Sequence, residues 1–212
     1  MKYIRNDDFL AKVDVIPLDG NSNSDYECFK CMLQDKDTVS TMSVFNGMVG
    51  SEEQIRIFFN TVTCKDKEVK ICLHKVFYDN EFAGIVGLCN AFEYNGIPTV
   101  LELGYFLKKE FRNRRITSRI SEILIEDIFD KFPNAKIVAV NLVSNKISQT
   151  ILLRLGFKFK TKMINRYDVI VNRFELFKSD FENRHNPINI ERELRRIEAT
   201  PETNIRVEGY IL

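Results

Sequence analysis

The chain has 212 residues, and its 31 Lys plus Arg against 30 Asp plus Glu leave a formal net charge of +1. With 44% hydrophobic and 29% charged residues it carries enough apolar side chains for a core, which excludes a disordered chain, and the even charge balance excludes a surface given over to nucleic acid. No apolar run reaches the ~18 residues of a membrane span, the first eight residues lack the parts of a signal peptide, and five scattered cysteines, an odd number, fit free thiols in a reducing cytoplasm.

Residues 11–18 alternate apolar and polar and run into Pro17-Leu18-Asp19-Gly20, a strand followed by a turn. The apolar positions over 26–33 fit a short helix that carries Cys28 and Cys31. With no second cysteine pair and no nearby histidine, that spacing reads as two small thiols buried on a helix rather than a metal site. Ser51 followed by Gln54 is an N-cap signal, and Ile55, Ile57, Phe58 and Val62 give the helical stripe behind it. After Asp66 the period falls to two, giving strands over 69–78, 82–92 and 100–107. The turns between them are Asp79-Asn80-Glu81 and Tyr94-Asn95-Gly96, and Asn-Gly suits positive φ. The three strands read as an antiparallel meander.

The pattern then becomes strand, helix, strand. Ile116, Ile120, Ile123, Leu124 and Ile128 share a helix face that runs to about Phe132, where Pro133 stops it. Residues 135–142 form a compact buried strand, and 145–155 a helix closed by Gly156. Two last strands cover 157–162 and 167–177. Beyond them the character changes. Residues 188–198 are rich in charge with apolar side chains only loosely at helical spacing, Pro201 ends that stretch, and 205–212 could form a late strand. The expected organisation is therefore a domain over 1–178 and an extension over 179–212, packed on its own domain or on a partner subunit.

Five segments in order carry a resemblance. They are Leu101-Glu102-Leu103-Gly104-Tyr105-Phe106-Leu107, the basic loop Phe111-Arg112-Asn113-Arg114-Arg115-Ile116-Thr117, the stretch from Val140 through Asn145 to Ser148, Leu153-Arg154-Leu155-Gly156-Phe157, and Tyr167-Asp168-Val169-Ile170. Together they resemble the GNAT N-acetyltransferases, closest to the ribosomal-protein-alanine N-acetyltransferase-like branch. The resemblance implies an α/β (α+β) fold with a mixed, mostly antiparallel central sheet, splayed in its middle and flanked by helices on both faces. It also implies acetyl-CoA as co-substrate, no metal, and transfer of an acetyl group to a primary amine by direct attack.

The physics suits that chemistry. A strand that parts from its neighbour leaves backbone groups able to pair with the amides of a pantetheine arm, and a helix N-terminus favours a pyrophosphate. The resemblance assigns cofactor binding to Phe106, Leu107, Lys108, Arg112, Asn113, Arg114, Arg115, Ile116, Thr117 and Asn145, with Phe106 and Phe111 flanking the channel. Arg115 stands where the family pattern has glycine, and Thr117 where it has glycine or alanine; a large side chain there could crowd the pyrophosphate, or Arg115 could turn outward and add positive charge. Glu102 is the candidate base. The tyrosine that many relatives use as acid is Leu152 here, which leaves Ser148 as the candidate proton donor.

The partners expected are acetyl-CoA and an amine acceptor, with no membrane and no nucleic acid, and a homodimer left open. The alternative reading is a non-catalytic GNAT-fold binding or regulatory protein with an impaired cofactor loop. The stretch 108–119 holds six basic residues against Glu110, a local net charge of +5 inside a nearly neutral chain.

Overall fold

The computed structural model describes residues 10–41, 51–63, 71–165, 168–185 and 188–202. A short strand, β1 (Val13–Pro17), precedes three helices, α1 (Asn23–Gln34), α2 (Lys36–Val39) and α3 (Glu52–Val62). Their starts follow from local chemistry: the side chains of Ser22, Asp35 and Ser51 accept N–H bonds from Asp25, from Asp37 and Thr38, and from Gln54. The meander follows as β2 (Leu73–Tyr78), β3 (Glu81–Tyr94) and β4 (Ile97–Leu107). Both of its turns are two-residue links in which each residue has positive φ: Asp79 at 51° and Asn80 at 66°, then Asn95 at 51° and Gly96 at 76°.

Next come α4 (Ile116–Lys131), β5 (Lys136–Leu142), α5 (Lys146–Arg154), β6 (Lys158–Ile164) and β7 (Ile170–Leu176), then α6 (Lys178–Glu182) and α7 (Ile190–Ala199). Among the described residues the strands form one seven-stranded sheet in the order β1-β2-β3-β4-β5-β7-β6. Every neighbouring pair is antiparallel except β4 and β5. Those two share only the pairs Val100–Lys136, Leu101–Ile137 and Glu102–Val138. Past Glu102 the sheet opens into a V, as the resemblance implies.

Side-chain alternation along the strands then sets what covers each face. Leu73, Ile85 and Cys89 are buried with Tyr26, Phe29 and Leu33 of α1 and Ile55, Phe58 and Phe59 of α3. Leu88, Leu101, Leu103, Ile137, Phe174 and Leu176 are buried with Ile125, Ile128 and Phe129 of α4 and Leu152 and Leu153 of α5. Gly84 and Gly87 hold the meander together closely: a Cβ at either would lie 2.2 Å from a carbonyl oxygen, Phe106 O on β4 and Cys72 O just before β2 respectively.

Several details differ from the sequence reading. Residues 36–39 and 178–182 form the short helices α2 and α6, which periodicity cannot reveal because each is only about one turn long. The loosely spaced stretch after 188 is a helix, α7, whose Ile197 is buried in the α4–α5 core with Ile190 and Leu194 packed against it. The buried ammonium of Lys162 on β6 donates to the carbonyl oxygens of Glu198 and Thr200 at the end of α7. The cysteine expectation needs correction: Cys28 is only half-buried and Cys31 is exposed, since α1 turns that flank away from α3. Residues 69 and 70 of the expected first meander strand, Tyr167, and the late strand over 205–212 lie outside the described residues.

Candidate active site in the opening of the sheet

The opening between β4 and β5 is a cavity of about 480 Å³. Its walls come from Leu103 to Leu107 of β4, Ala139 to Asn141 of β5, the start of α4, and one side of α5, with Thr41 from the end of the α2 segment. The β4 wall presents backbone groups. The N–H of Lys108 bonds to Ala83 O on β3, so by antiparallel alternation the even-numbered residues of β4 face β3. The N–H and C=O groups of Leu103, Tyr105 and Leu107 therefore face the opening, where β5 no longer pairs with them.

The α4 end supplies the electrostatics. The first-turn N–H groups of a helix have no partner within it, and those of Ile116, Thr117 and Ser118 belong to residues lining the cavity. The loop before them turns twice through left-handed backbone, at Asn113 (φ 64°) and Arg115 (φ 61°). Arg115 is the N-cap residue of α4, with ψ 10°. The loop thus keeps the conformation that glycine would adopt most easily, and Arg115 is exposed while it also lines the cavity.

Five of the six basic residues of this segment have contacts of their own. Arg112 donates from Nε to Leu107 O at 3.0 Å and from Nη2 to Thr38 Oγ1 at 3.4 Å, tying the end of β4 to α2. Lys109 pairs with Asp37 at 3.2 Å and Arg119 with Glu122 at 3.3 Å. The guanidinium of Arg114 lies over the rings of Tyr78 and Phe111, and the Lys108 ammonium lies over Phe82. The local charge of +5 is thereby partly spent on the protein's own carboxylates and rings.

Of the residues expected to bind cofactor, Phe106, Leu107, Arg112, Asn113, Arg115, Ile116, Thr117 and Asn145 line the cavity, and Phe111 does too. Lys108 and Arg114 do not. Asn145 caps α5, its Oδ1 accepting from Ser148 N at 3.0 Å, while its Nδ2 donates to Thr41 O at 3.3 Å. Glu102 does not line the cavity. It is fully buried, in register with Cys89 of β3 and Val138 of β5, on the face of β4 opposite Leu103 and Tyr105. Burial, with the charge of Glu102 added, pushes the Cys89 thiol up.

Ser148 does line the cavity, and beside it stands a residue that the motif reading passed over. Tyr105 Oη lies 2.8 Å from Ser148 Oγ. Ser148 Oγ also accepts from Asn141 Nδ2 at 3.3 Å, and Asn141 Oδ1 from Asn172 Nδ2 at 3.4 Å. Desolvation pushes the Tyr105 phenol up, against the pull of its bond to Ser148. The signal available in the sequence was strand alternation, which puts Tyr105 on the same face as Leu103. Leu152 is buried in the core.

The family model for an acetyltransferase (GNAT) domain matches residues 18–158. No curated protein sequence matches the chain. Among solved structures, the microcin C7 self-immunity acetyltransferase MccE in complex with acetyl-CoA and AMP is 16% identical, with 78% of this chain and 92% of that chain covered and a TM-score of 0.59. RimL, a ribosomal L7/L12 alpha-N-protein acetyltransferase in complex with coenzyme A, is also 16% identical, covering 78% and 94% at a TM-score of 0.59. An acetyltransferase from Agrobacterium tumefaciens is 14% identical, covering 79% and 91% at a TM-score of 0.61. At such identities the likeness is one of fold. Among the described residues no helix is long and apolar enough to cross a membrane.

Proposed function

The chain belongs to the GNAT acetyltransferase family, the acyl-CoA-dependent N-acyltransferases, and from that premise we propose that it moves an acetyl group from acetyl-CoA to a primary amine, a protein N-terminus or a small-molecule amine, by direct attack. One observation carries the reading: a single cavity joins the unpaired edge of β4 to the N-terminus of α4. The first suits the amides of a pantetheine arm and the second a pyrophosphate. Arg115 holds the left-handed backbone that glycine adopts most easily, so the loop keeps the shape a phosphate needs, which supports a working cofactor loop over the non-catalytic alternative.

In the proposed reaction the thioester carbonyl lies beside the opened part of β4. The amine nitrogen attacks it, the C–N bond forms, and the C–S bond breaks with its electron pair passing to sulfur. Glu102, the last β4 residue in register with β5, is proposed to take the proton shed by the nitrogen, from the face covered by α1 and α3. Ser148 is proposed to donate to the departing sulfur.

Calorimetry with acetyl-CoA tests the proposed transfer, and absence of binding at high micromolar ligand would sink it. For the base, Glu102→Gln should lower kcat by about 10² or more and flatten the acid limb of the pH–rate profile. A variant within threefold of the parent removes Glu102 from the mechanism.

A further inference from the structure

The hydroxyl of Ser148 sits in a chain of side chains drawn from four elements. Asn172 on β7 donates to Asn141 on β5, Asn141 donates to Ser148 on α5, and Ser148 meets Tyr105 on β4. Asn172, Asn141 and Ser148 are all buried. A hydroxyl has one proton to give and two lone pairs to fill. The amide of Asn141 fills the first lone pair. The Tyr105 hydroxyl lies 3.4 Å from Ser148 O and 2.8 Å from Ser148 Oγ; the shorter contact has the usual length of an O–H···O bond, and in a phenol–alcohol pair the phenol is the stronger acid and so the donor. Tyr105 fills the second lone pair. The only capacity left to Ser148 is its own O–H, and Ser148 lines the cavity.

We infer that Tyr105 and Asn141 are positioning residues that fix Ser148 as a hydrogen-bond donor facing the sulfur of coenzyme A. This deepens the reading of Ser148 above and rests on it. Tyr105 acts through the serine: its raised phenol pKa keeps its proton in place, so it fills a lone pair without itself surrendering a proton. When the C–S bond breaks, the sulfur carries the electron pair into a site where an O–H already points. Ser148 passes its proton to that sulfur to give the free coenzyme A thiol, and the proton that Glu102 took from the amine is returned to Ser148 through solvent. Tyr105 thereby supplies, from a different strand, part of what a tyrosine on α5 would supply at the position of Leu152.

The inference can be tested without knowing the acceptor, by comparing the binding of coenzyme A and desulfo-coenzyme A from pH 7 to pH 10. A donor facing the sulfur favours thiolate, so in the parent the preference for coenzyme A over desulfo-coenzyme A should grow about tenfold as the thiol ionises. Ser148→Ala should abolish that growth, and Tyr105→Phe should cut it about threefold. In the Ser148→Ala background Tyr105→Phe should have no further effect. Each variant removes one oxygen and preserves shape, and desulfo-coenzyme A binding, unchanged in all four proteins, verifies the fold. A pH-independent preference in the parent, or a Tyr105→Phe effect of equal size with and without Ser148, overturns the inference. Failure of both ligands to bind the parent overturns the acetyl-CoA reading itself.

Discussion

Arg115 offers a sharp test of how the cofactor loop is built. Consider Arg115→Gly and Arg115→Ala made side by side. The residue is exposed and sits at φ 61°, ψ 10° as the N-cap of α4, with no side-chain capping bond. Truncating it therefore removes little packing. An L-residue held in left-handed backbone costs roughly 1–2 kcal/mol, and alanine keeps that cost. Glycine relieves it but gives back about 0.4–1 kcal/mol through the greater freedom of the unfolded chain. Glycine is also the better N-cap of the two by a fraction of a kcal/mol. The glycine variant should thus exceed the alanine variant by about 1 kcal/mol, which is roughly 2–4 °C in Tm for a domain of this size. Thermal unfolding read by circular dichroism measures the difference. Calorimetry with acetyl-CoA should show both variants binding within a few fold of each other, since they lose the same charge. An alanine variant as stable as the glycine one would refute the strained-loop account.

Gly84→Ala should destabilise by about 3 kcal/mol in urea unfolding, because the new Cβ would meet Phe106 O and Leu107 Cα; a loss under 1 kcal/mol would show that β3 and β4 can part there. Asp25→Asn should cost about 3 kcal/mol at pH 7, since it leaves the largely buried Lys75 ammonium without its counter-charge. Burial works to raise the Asp25 carboxyl, but the Asp19 N–H and the Lys75 ammonium outweigh it and hold the group below 3.8. Its stabilisation is therefore present above the unfolded-state value and is lost as pH falls through the lower folded-state value. The stability gap between parent and variant should close below about pH 4, and a gap that stays constant down to pH 2 would show that Asp25 is not the group responsible.

How much of this was legible in the sequence depends on the range of the interaction. The meander, α4, β5 and α5 were readable because their signals are local: alternation, a stripe, Asn95-Gly96 at a turn, Gly156 at a helix end with φ 93°. The strand order was not, because nothing local tells β7 to lie between β5 and β6. The same holds within the site. Arg112 and Asn145 could be matched to a family pattern and Ser148 singled out beside it, yet what they do is decided at a distance. Arg112 reaches Thr38, Asn145 reaches Thr41, and Ser148 meets Tyr105 from 43 residues away. The charge count illustrates the limit, since it could not see that Asp37 and Glu122 already hold Lys109 and Arg119.

The shortness of the β4–β5 register has a mechanical consequence. Among the described residues, three strand-to-strand pairs stitch a four-stranded half-sheet, β1 to β4, to a three-stranded one, β5, β7 and β6. The seam is the place where the two halves can shear or open with the fewest hydrogen bonds to break. A ligand whose amides bond along the free edge of β4 while it also touches β5 and α5 adds rungs across that seam. Cofactor occupancy would then be felt as the fusing of two blocks into one, and amide hydrogen exchange in β5 would slow together with that in β4 as the site fills.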